Sequence, residues 1–511
     1  MRAESFKVSI RHHMKSPSRR SASGQALVLG LVLLLVLCVG IIVLFDTGQA
    51  VNKKIQITNA ADAAAYSVAA EQARALNFAS YMNRGRVANE VMIAQLISVY
   101  SFIGQVHSTT YNLDWQLTAL AAAIAGTVVG APIAVVLEIV AKTMKAASVV
   151  LKGIKTAYRQ AASPLVKLVD TLNQGLAGAT EIVLRAMGGI DSFLLAEKIA
   201  KANAPDAEIG AVAKGLLISQ LAKVQGQFLN EYRIPSATGG TLEQRQGADR
   251  FRNVVMASRD GFTRDRGANL NLGIIKIGYW GGTDQVGYDR WAAMDTLGVR
   301  IPLPFPLKGV SWPVGWSGAQ AVDRFQNQRF LNGFDNGRGW TSPYDGKTYK
   351  PYGDAANDQV LGNLAANDPD FMVDGGQTRN AYFTGYGGLR DYFDVAKDKA
   401  LDPADANQAN AGPIFTVSVD TAIANARTSA ALEGVGGING SKMEMEDTAL
   451  NDKLAAAASA QVYFNRPPHY GLFTRPDNKL EVGNLFGPYW QARLVDVPLA
   501  DKAVLLAGSG L

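Results

Sequence analysis

Residues Gln25–Phe45 read QALVLGLVLLLVLCVGIIVLF, 21 residues without a charge. At about 1.5 Å per helical residue this stretch reaches about 30 Å, the hydrocarbon thickness of a bilayer. Leu29, Gly30, Leu35, Cys38 and Gly40 lie inside it. Upstream, Arg2, Lys7, Arg11, Lys15, Arg19 and Arg20 stand against Glu4, a net charge of +5 over residues 1–24. Positive flanks stay on the cytoplasmic side, so the sequence predicts a cytoplasmic tail (1–24), a transmembrane helix (25–45) and the remainder outside. A secretory leader has a shorter apolar core, about 7–15 residues, and ends at small residues. Gly48-Gln49-Ala50 offers a poor cleavage site, so an uncleaved anchor is expected.

The tail also accounts for the basic character of the chain. Of 50 Lys+Arg and 44 Asp+Glu in 511 residues, the part beyond residue 24 holds 44 and 43. No basic surface remains to attract nucleic acid, which is excluded as a partner. Charged residues make up 18% and hydrophobic residues 48%, against about 25% charged in ordinary soluble domains. A chain this apolar is not disordered. Cys38 is the only cysteine, so no internal disulfide or Cys-based zinc site exists, which suits an oxidising compartment.

Beyond the span, Gly48–Met82 contains no proline and no glycine after the first residue. Ile57, Ala61, Ala64, Val68, Glu71, Ala75, Phe78 and Met82 recur at spacings of four and three. That is helical periodicity, and the membrane helix is expected to continue outward as a rod. Its seam is filled by alanine in NAADAAAYSVAA, Asn59–Ala70. Small residues allow close helix approach, either against the chain's own domain or against equivalent helices of partner subunits in a homo-oligomer.

Gly24-Gln25-Ala26, the span, Asp46-x-Gly48-Gln49 and Asn59-Ala60-Ala61-Asp62-Ala63-Ala64-Ala65 together resemble the N-terminal module of TadG-like proteins of the Tad (tight adherence) Flp pilus system. The resemblance covers about residues 20–70, a tenth of the chain. It implies an inner-membrane protein with a periplasmic domain, a minor pilin-like or scaffold part of a pilus machine whose partners are the lipid bilayer and other pilus-assembly proteins. Val68 continues the packing face of that module. Some relatives carry a von Willebrand-type domain with Asp-x-Ser-x-Ser; no such motif occurs here, and no metal site is carried over. Related pseudopilins are cut after a glycine and carry Glu at the fifth position beyond it. Leu29 stands there after Gly24, so prepilin-peptidase processing is not expected.

Residues 83–232 read helical, which with the rod gives a helical stalk or bundle over 46–232. Leu117–Leu137 is a second uncharged stretch of 21 residues, with Gly126 and Gly130 at GxxxG spacing. Glu138, Lys142, Lys145, Lys152, Lys155 and Arg159 then trace one polar stripe on a helix whose other faces are apolar. This amphipathic pattern and Pro132 predict a helical hairpin broken at the proline rather than a second span. Further helices are expected at 164–186 and 205–232. From 233 to 511 the composition turns to Gly, Asp, Asn and Trp, with β-like runs at 270–279, 299–307, 413–419, 460–464 and 490–497. Gly281-Gly282, Asp335-Asn336-Gly337 and Asp345-Gly346 read as turns, 336–380 as loop and 423–432 as helix. The expected class is α+β: a transmembrane helix continuing into a long helical stalk, then a periplasmic mixed antiparallel-sheet head with long loops.

No pattern for chemistry emerges. His107 and His469 are singletons, and no His-Glu-x-x-His or phosphate-cradling Gly-rich loop is present. Gly315-Trp316-Ser317-Gly318 fails the nucleophile-elbow pattern at Ala319. Asp345, Asp354, Asp358, Asp368 and Asp370 lack calcium-loop spacing. The sequence predicts no catalytic residue, no metal site and no cofactor. The run Arg259–Arg266 reads as a salt-bridged loop around Asp260-Gly261. Arg259, Asp260, Arg264 and Arg266, with Trp312 and Trp316, are the alternative candidate partner surface. The expected function is a membrane-anchored, pilin-like or scaffold component of pilus assembly acting through helix packing. An envelope hydrolase and a pilus-borne adhesin are the alternatives.

Overall fold

In a computed structural model, the described residues are 23–127, 130–187, 189–235, 241–264, 266–273, 275–286, 288–301, 310–323, 340–341, 348–349, 372–373, 377–378, 381–396, 410–426, 453–466 and 481–508. Residues 1–22 of the basic tail and the five aspartates of the loop region lie outside them; parts of 336–380, read as loop, are short strands instead.

Helix α1 runs unbroken from Ser23 to Ile124, 102 residues, about 150 Å. No proline occurs between Pro17 and Pro132, so nothing in it forfeits a backbone hydrogen bond. Helix α2, Gly130–Met187, returns antiparallel over 58 residues. The expected hairpin is therefore present, but α1 ends at Ile124 and α2 starts at Gly130, before Pro132. Pro132 lies in the first turn of α2, where its missing N–H would have had no partner. Gly126 and Gly130 serve the turn rather than a span. A Cβ on Gly130 would lie 2.2 Å from the Ile124 carbonyl oxygen, so only glycine fits.

The α2 face against α1 repeats every seven residues. Ala134, Ala141, Ser148, Lys155, Ala162 and Val169 form one buried row; Val166, Asn173, Thr180 and Met187 form another. A strict seven-residue period is the pattern of a left-handed coiled coil, and Ala134, Ala141, Ser148 and Ala162 of the first row are small enough for close approach. Pro164 lies inside α2, so the separate helix expected from 164 is the second half of a longer one.

Helices α3 (Ile190–Asn203) and α4 (Ala211–Lys223) follow. Gln72 donates to the Met187 carbonyl at 2.7 Å, and Lys53 pairs with Asp206 at 2.5 Å. The return path thus follows α1 back to the first turns beyond the span. A π-turn (Val224–Phe228), strand β1 (Leu229–Tyr232), α5 (Leu242–Ala257) and α6 (Gly261–Arg264) lead into the sheets. Strands β2 (Ala268–Asn271), β3 (Lys276–Val286), β4 (Arg290–Ile301) and β5 (Val310–Val322) form an antiparallel meander. Two short pairs follow: β6 (Trp340–Thr341) with β7 (Thr348–Tyr349), and β8 (Met372–Val373) with β9 (Gln377–Thr378). β10 (Ala381–Thr384) adds parallel to β5, and β11 (Tyr392–Val395) pairs with β1. β12 (Ala411–Ala422), β13 (Lys453–Phe464) and β14 (Trp490–Val495) make a second antiparallel sheet, closed by α7 (Leu499–Gly508). Pro413 sits at the bulge of edge strand β12, where no ladder donor is required.

The fold is α+β, and α1 is its spine. One core joins Ile57–Ala79 of α1 with α3, α4 and the β12–β13–β14 sheet; the other joins Val87–Tyr100 with α2, α5, β4 and β5. Each core draws on residues from both sides of position 232. Gly281-Gly282, read as a turn, is the middle of β3, with Arg266 packed over it: a Cβ on Gly281 would meet the Arg266 Cβ at 3.1 Å. Of the helix expected at 423–432, Ile423–Ala426 is a 3-10 turn and the rest lies outside the described residues.

Candidate functional site

The first part of α1 has no protein around it. Leu29, Leu35, Cys38 and Phe45 are exposed, and a side chain at Gly30 or Gly40 would meet nothing within 4 Å. Gln25 begins this stretch within α1. Among the described residues this is the one helix long and apolar enough to cross a membrane, and its most apolar window is wholly unburied within the chain. Its length and its bareness on all faces fit a membrane span. Asp46 is buried at the C-terminal end of this stretch and Gly48 is exposed.

The next turns divide by face. Ala61, Ala64, Ala65 and Val68 are 0% exposed and sit in the first core with α3, β12 and β13. The alanine seam therefore packs on the chain's own domain, which corrects the reading that it meets partner helices. Those four positions have no surface left to offer. The opposite face, Val51, Ile55, Asn59, Asp62 and Tyr66, is exposed or half-buried. The motif thus splits: its alanines build the fold, while Asn59 and Asp62 look outward.

Further along, a buried acid fastens four elements together. Glu90 Oε2 accepts from Trp291 Nε1 (2.9 Å) and from the Tyr386 hydroxyl (2.7 Å); its Oε1 accepts from Asn173 Nδ2 (3.0 Å). Asn89 donates to Asn173 Oδ1, and Gln285 donates to the Tyr386 hydroxyl. α1, α2, β4 and the segment after β10 meet at this one carboxylate. Burial holds Glu90 above the usual carboxylate pKa against the opposing hydrogen bonds from Trp291 and Tyr386. Sealed from solvent, it is a structural clasp. A lone acid in the helical pattern gave no sign of this role, because its three donors lie 83, 201 and 296 residues away.

The charged run is also structural. Arg259 and Arg266 are buried, which removes them from the candidate partner surface. Arg266 grips Asp295 through Nε at 2.6 Å and Nη2 at 2.9 Å, and Tyr279 donates to the same carboxylate at 2.5 Å. Arg259 lies 3.5 Å from Asp284. Asp260 accepts from Thr263 and from Gln95 of α1, so it caps the short α6. Arg264 is exposed. Trp312 and Trp316 lie on β5, paired with Val299 and Thr296. Ser317 is buried against α1. Arg266→Ala leaves Asp295 charged and buried without its cation and should cost about 3–5 kcal/mol. Arg266→Met with Asp295→Leu should recover most of that in urea unfolding of the full chain.

No group of three or more His, Cys, Asp or Glu side chains among the described residues is placed to hold a metal. Residues 24–71 match the family model described as putative Flp pilus-assembly TadE/G-like. The match covers the bare span and the two-faced turns beyond it, and it supports a role in pilus assembly. No curated protein and no solved structure matches the chain.

Proposed function

We propose that the chain is a single-pass component of a Tad/Flp-type pilus assembly machine. It is held in the inner membrane by Ala26–Phe45, with its N-terminus in the cytoplasm and both cores in the periplasm. The observation that carries this reading is the coincidence of the family match, residues 24–71, with a helix that is bare as far as Phe45 and built into the fold from Ile57. Continuity of α1 transmits the position of the anchor to everything beyond it. Contact with other pilus components, or between copies of this chain, falls to the bare span and to the outward stripe of Val51, Ile55, Asn59, Asp62 and Tyr66, since the alanine seam is occupied. The chain then acts as a scaffold whose rod presents a folded body at fixed height above the membrane. Neither an envelope hydrolase nor an adhesin is favoured by a specific observation.

Deletion of the gene should abolish surface pili, and re-expression should restore them. After shearing, the protein should remain with the cell envelope. Recovery in the sheared pilus fraction would make it a pilus subunit, and normal piliation without it would refute the assembly role.

A further inference from the structure

The end of the molecule farthest from the anchor is apolar in a way that the fold does not use. The hairpin of α1 and α2 is uncharged from Leu117 to Leu137, eight helical residues on each arm, or about 12 Å. Leu120, Ile133, Val135 and Val136 there are half exposed or more, Val136 at 59%. Only the seven-residue seam is covered.

A second element reaches the same end. Ser317, Gly315 and Val314 of β5 lie against Gly104, Thr109 and Asn112 of α1 in turn. β5 therefore runs antiparallel to α1, and its first residue, Val310, is at the hairpin end. Val310 pairs with Ile301, and Arg300 pairs with Lys276, so the connection between β2 and β3 is there too. The connection carries Leu272 and Ile275, and Leu270 lies beside it near the end of β2; all three are exposed.

Apolar residues on two separate projections, side by side, exceed the scattered hydrophobes of an ordinary surface. We propose that this distal end docks on an anionic lipid surface facing the bilayer that holds α1. Three observations select lipid as the occupant. Behind the apolar end the charge is cationic: from Asp114 to Arg159 two acids, Asp114 and Glu138, stand against five bases, of which Lys155 is buried. Glu138 lies 3.9 Å from Lys142, and Lys142, Lys145, Lys152 and Arg159 are exposed. The uncharged depth of eight residues on each arm, about 12 Å, approaches that of one leaflet, about 15 Å. Hydrocarbon requires backbone groups to be satisfied within the chain, and the described residues of the turn bond locally. Ala125 N–H bonds the Ala121 carbonyl, Thr127 N–H bonds that of Ile124, and Gly130 N–H bonds Thr127 Oγ1. The tip cannot fold back onto the anchor's own bilayer, because 79 helical residues separate Phe45 from Ile124, about 120 Å.

This inference rests on α1 being held in the first bilayer, and its test keeps the two apart. The full chain is incorporated into phosphatidylcholine nanodiscs and mixed with protein-free vesicles containing about 30% phosphatidylglycerol. Entry into the disc reports the anchor; co-flotation with the vesicles reports the tip. The loaded discs should float with anionic vesicles and far less with neutral ones. Val136→Asp with Ile139→Asp should abolish flotation. Lys142→Gln with Lys145→Gln should weaken it about 10- to 30-fold. These side chains are exposed, so circular dichroism and the unfolding midpoint should match the parent. A fluorophore on Thr127→Cys in a Cys38→Ala background should shift to the blue on vesicle binding. Discs that load but do not float, flotation indifferent to the two aspartates, or discs that pair tip to tip without binding vesicles would each overturn the proposal.

Discussion

Glu90→Ala should cost about 4–6 kcal/mol of stability. The side chain is almost wholly buried and accepts hydrogen bonds from Trp291, Tyr386 and Asn173. Truncation strands all three donors away from water, at about 1–3 kcal/mol each, and leaves a cavity besides. Glu90→Gln keeps an acceptor for two of the donors and should cost about 1–2 kcal/mol. The pair of variants also fixes a pH dependence. Burial raises the Glu90 pKa in the folded state. The fold therefore retains a proton that the unfolded chain releases near the ordinary glutamate value. The stability linked to that proton is complete below the ordinary value and is lost as pH rises through the raised one. Asp394, raised by burial against the opposing charge of Arg250, acts in the same direction but is common to both proteins. The wild-type chain in detergent should thus lose more of its urea midpoint than Glu90→Gln as pH rises above the ordinary glutamate range. Equal losses would show that Glu90 is ionised as readily in the fold as in the unfolded chain.

Ala64→Leu, and more so Ala61→Leu with Ala65→Leu, should lower stability while leaving the association state unchanged. Each added side chain enters a packed core with no exposed surface, and overpacking of this kind costs about 1–3 kcal/mol per site. The paired sites lie one turn apart, so their costs will not simply add. Asn59→Ala and Tyr66→Ala, on the outward face, should stay within about 0.5 kcal/mol of the parent. The informative comparison is stability against assembly. A seam between subunits would give the reverse pattern, with altered association and an unchanged monomer midpoint.

Much of the helical half could be read from the residues because its signals are local. An uncharged run marks the span, a four-three spacing marks the rod, and a polar stripe on an apolar helix marks the hairpin. What local signals do not carry is which surface meets which. Alanine at Ala61, Ala64 and Ala65 shows that something comes close, and is silent on whether it is the chain's own β13 or another molecule. Strand β5 was missed for a related reason. Its sequence VSWPVGWSGAQAV is punctuated by Pro313 and Gly315, which interrupt a strand pattern. The structure uses both: Pro313 sits beside a register shift, and Gly315 lies where a Cβ would come within 2.7 Å of the Thr109 backbone nitrogen. Gly281 is likewise demanded by the approach of Arg266 and Asp295. The clasp at Glu90 was hidden by distance along the chain. Among the described residues, the buried arginines show why a dense charged run is a weak sign of a binding surface, since its partners, Asp284 and Asp295, lie outside the run.

The central claim is one crossing, followed by a body that lies wholly on the far side. Single cysteines in a Cys38→Ala background test it directly, with a membrane-impermeant maleimide applied to spheroplasts. Thr143→Cys at the hairpin and Leu499→Cys near the C-terminus should both label on intact spheroplasts, while Ser9→Cys in the basic tail should label only after permeabilisation. Labelling of Leu499→Cys only after permeabilisation would put the second half of the chain back in the cytoplasm and contradict the account.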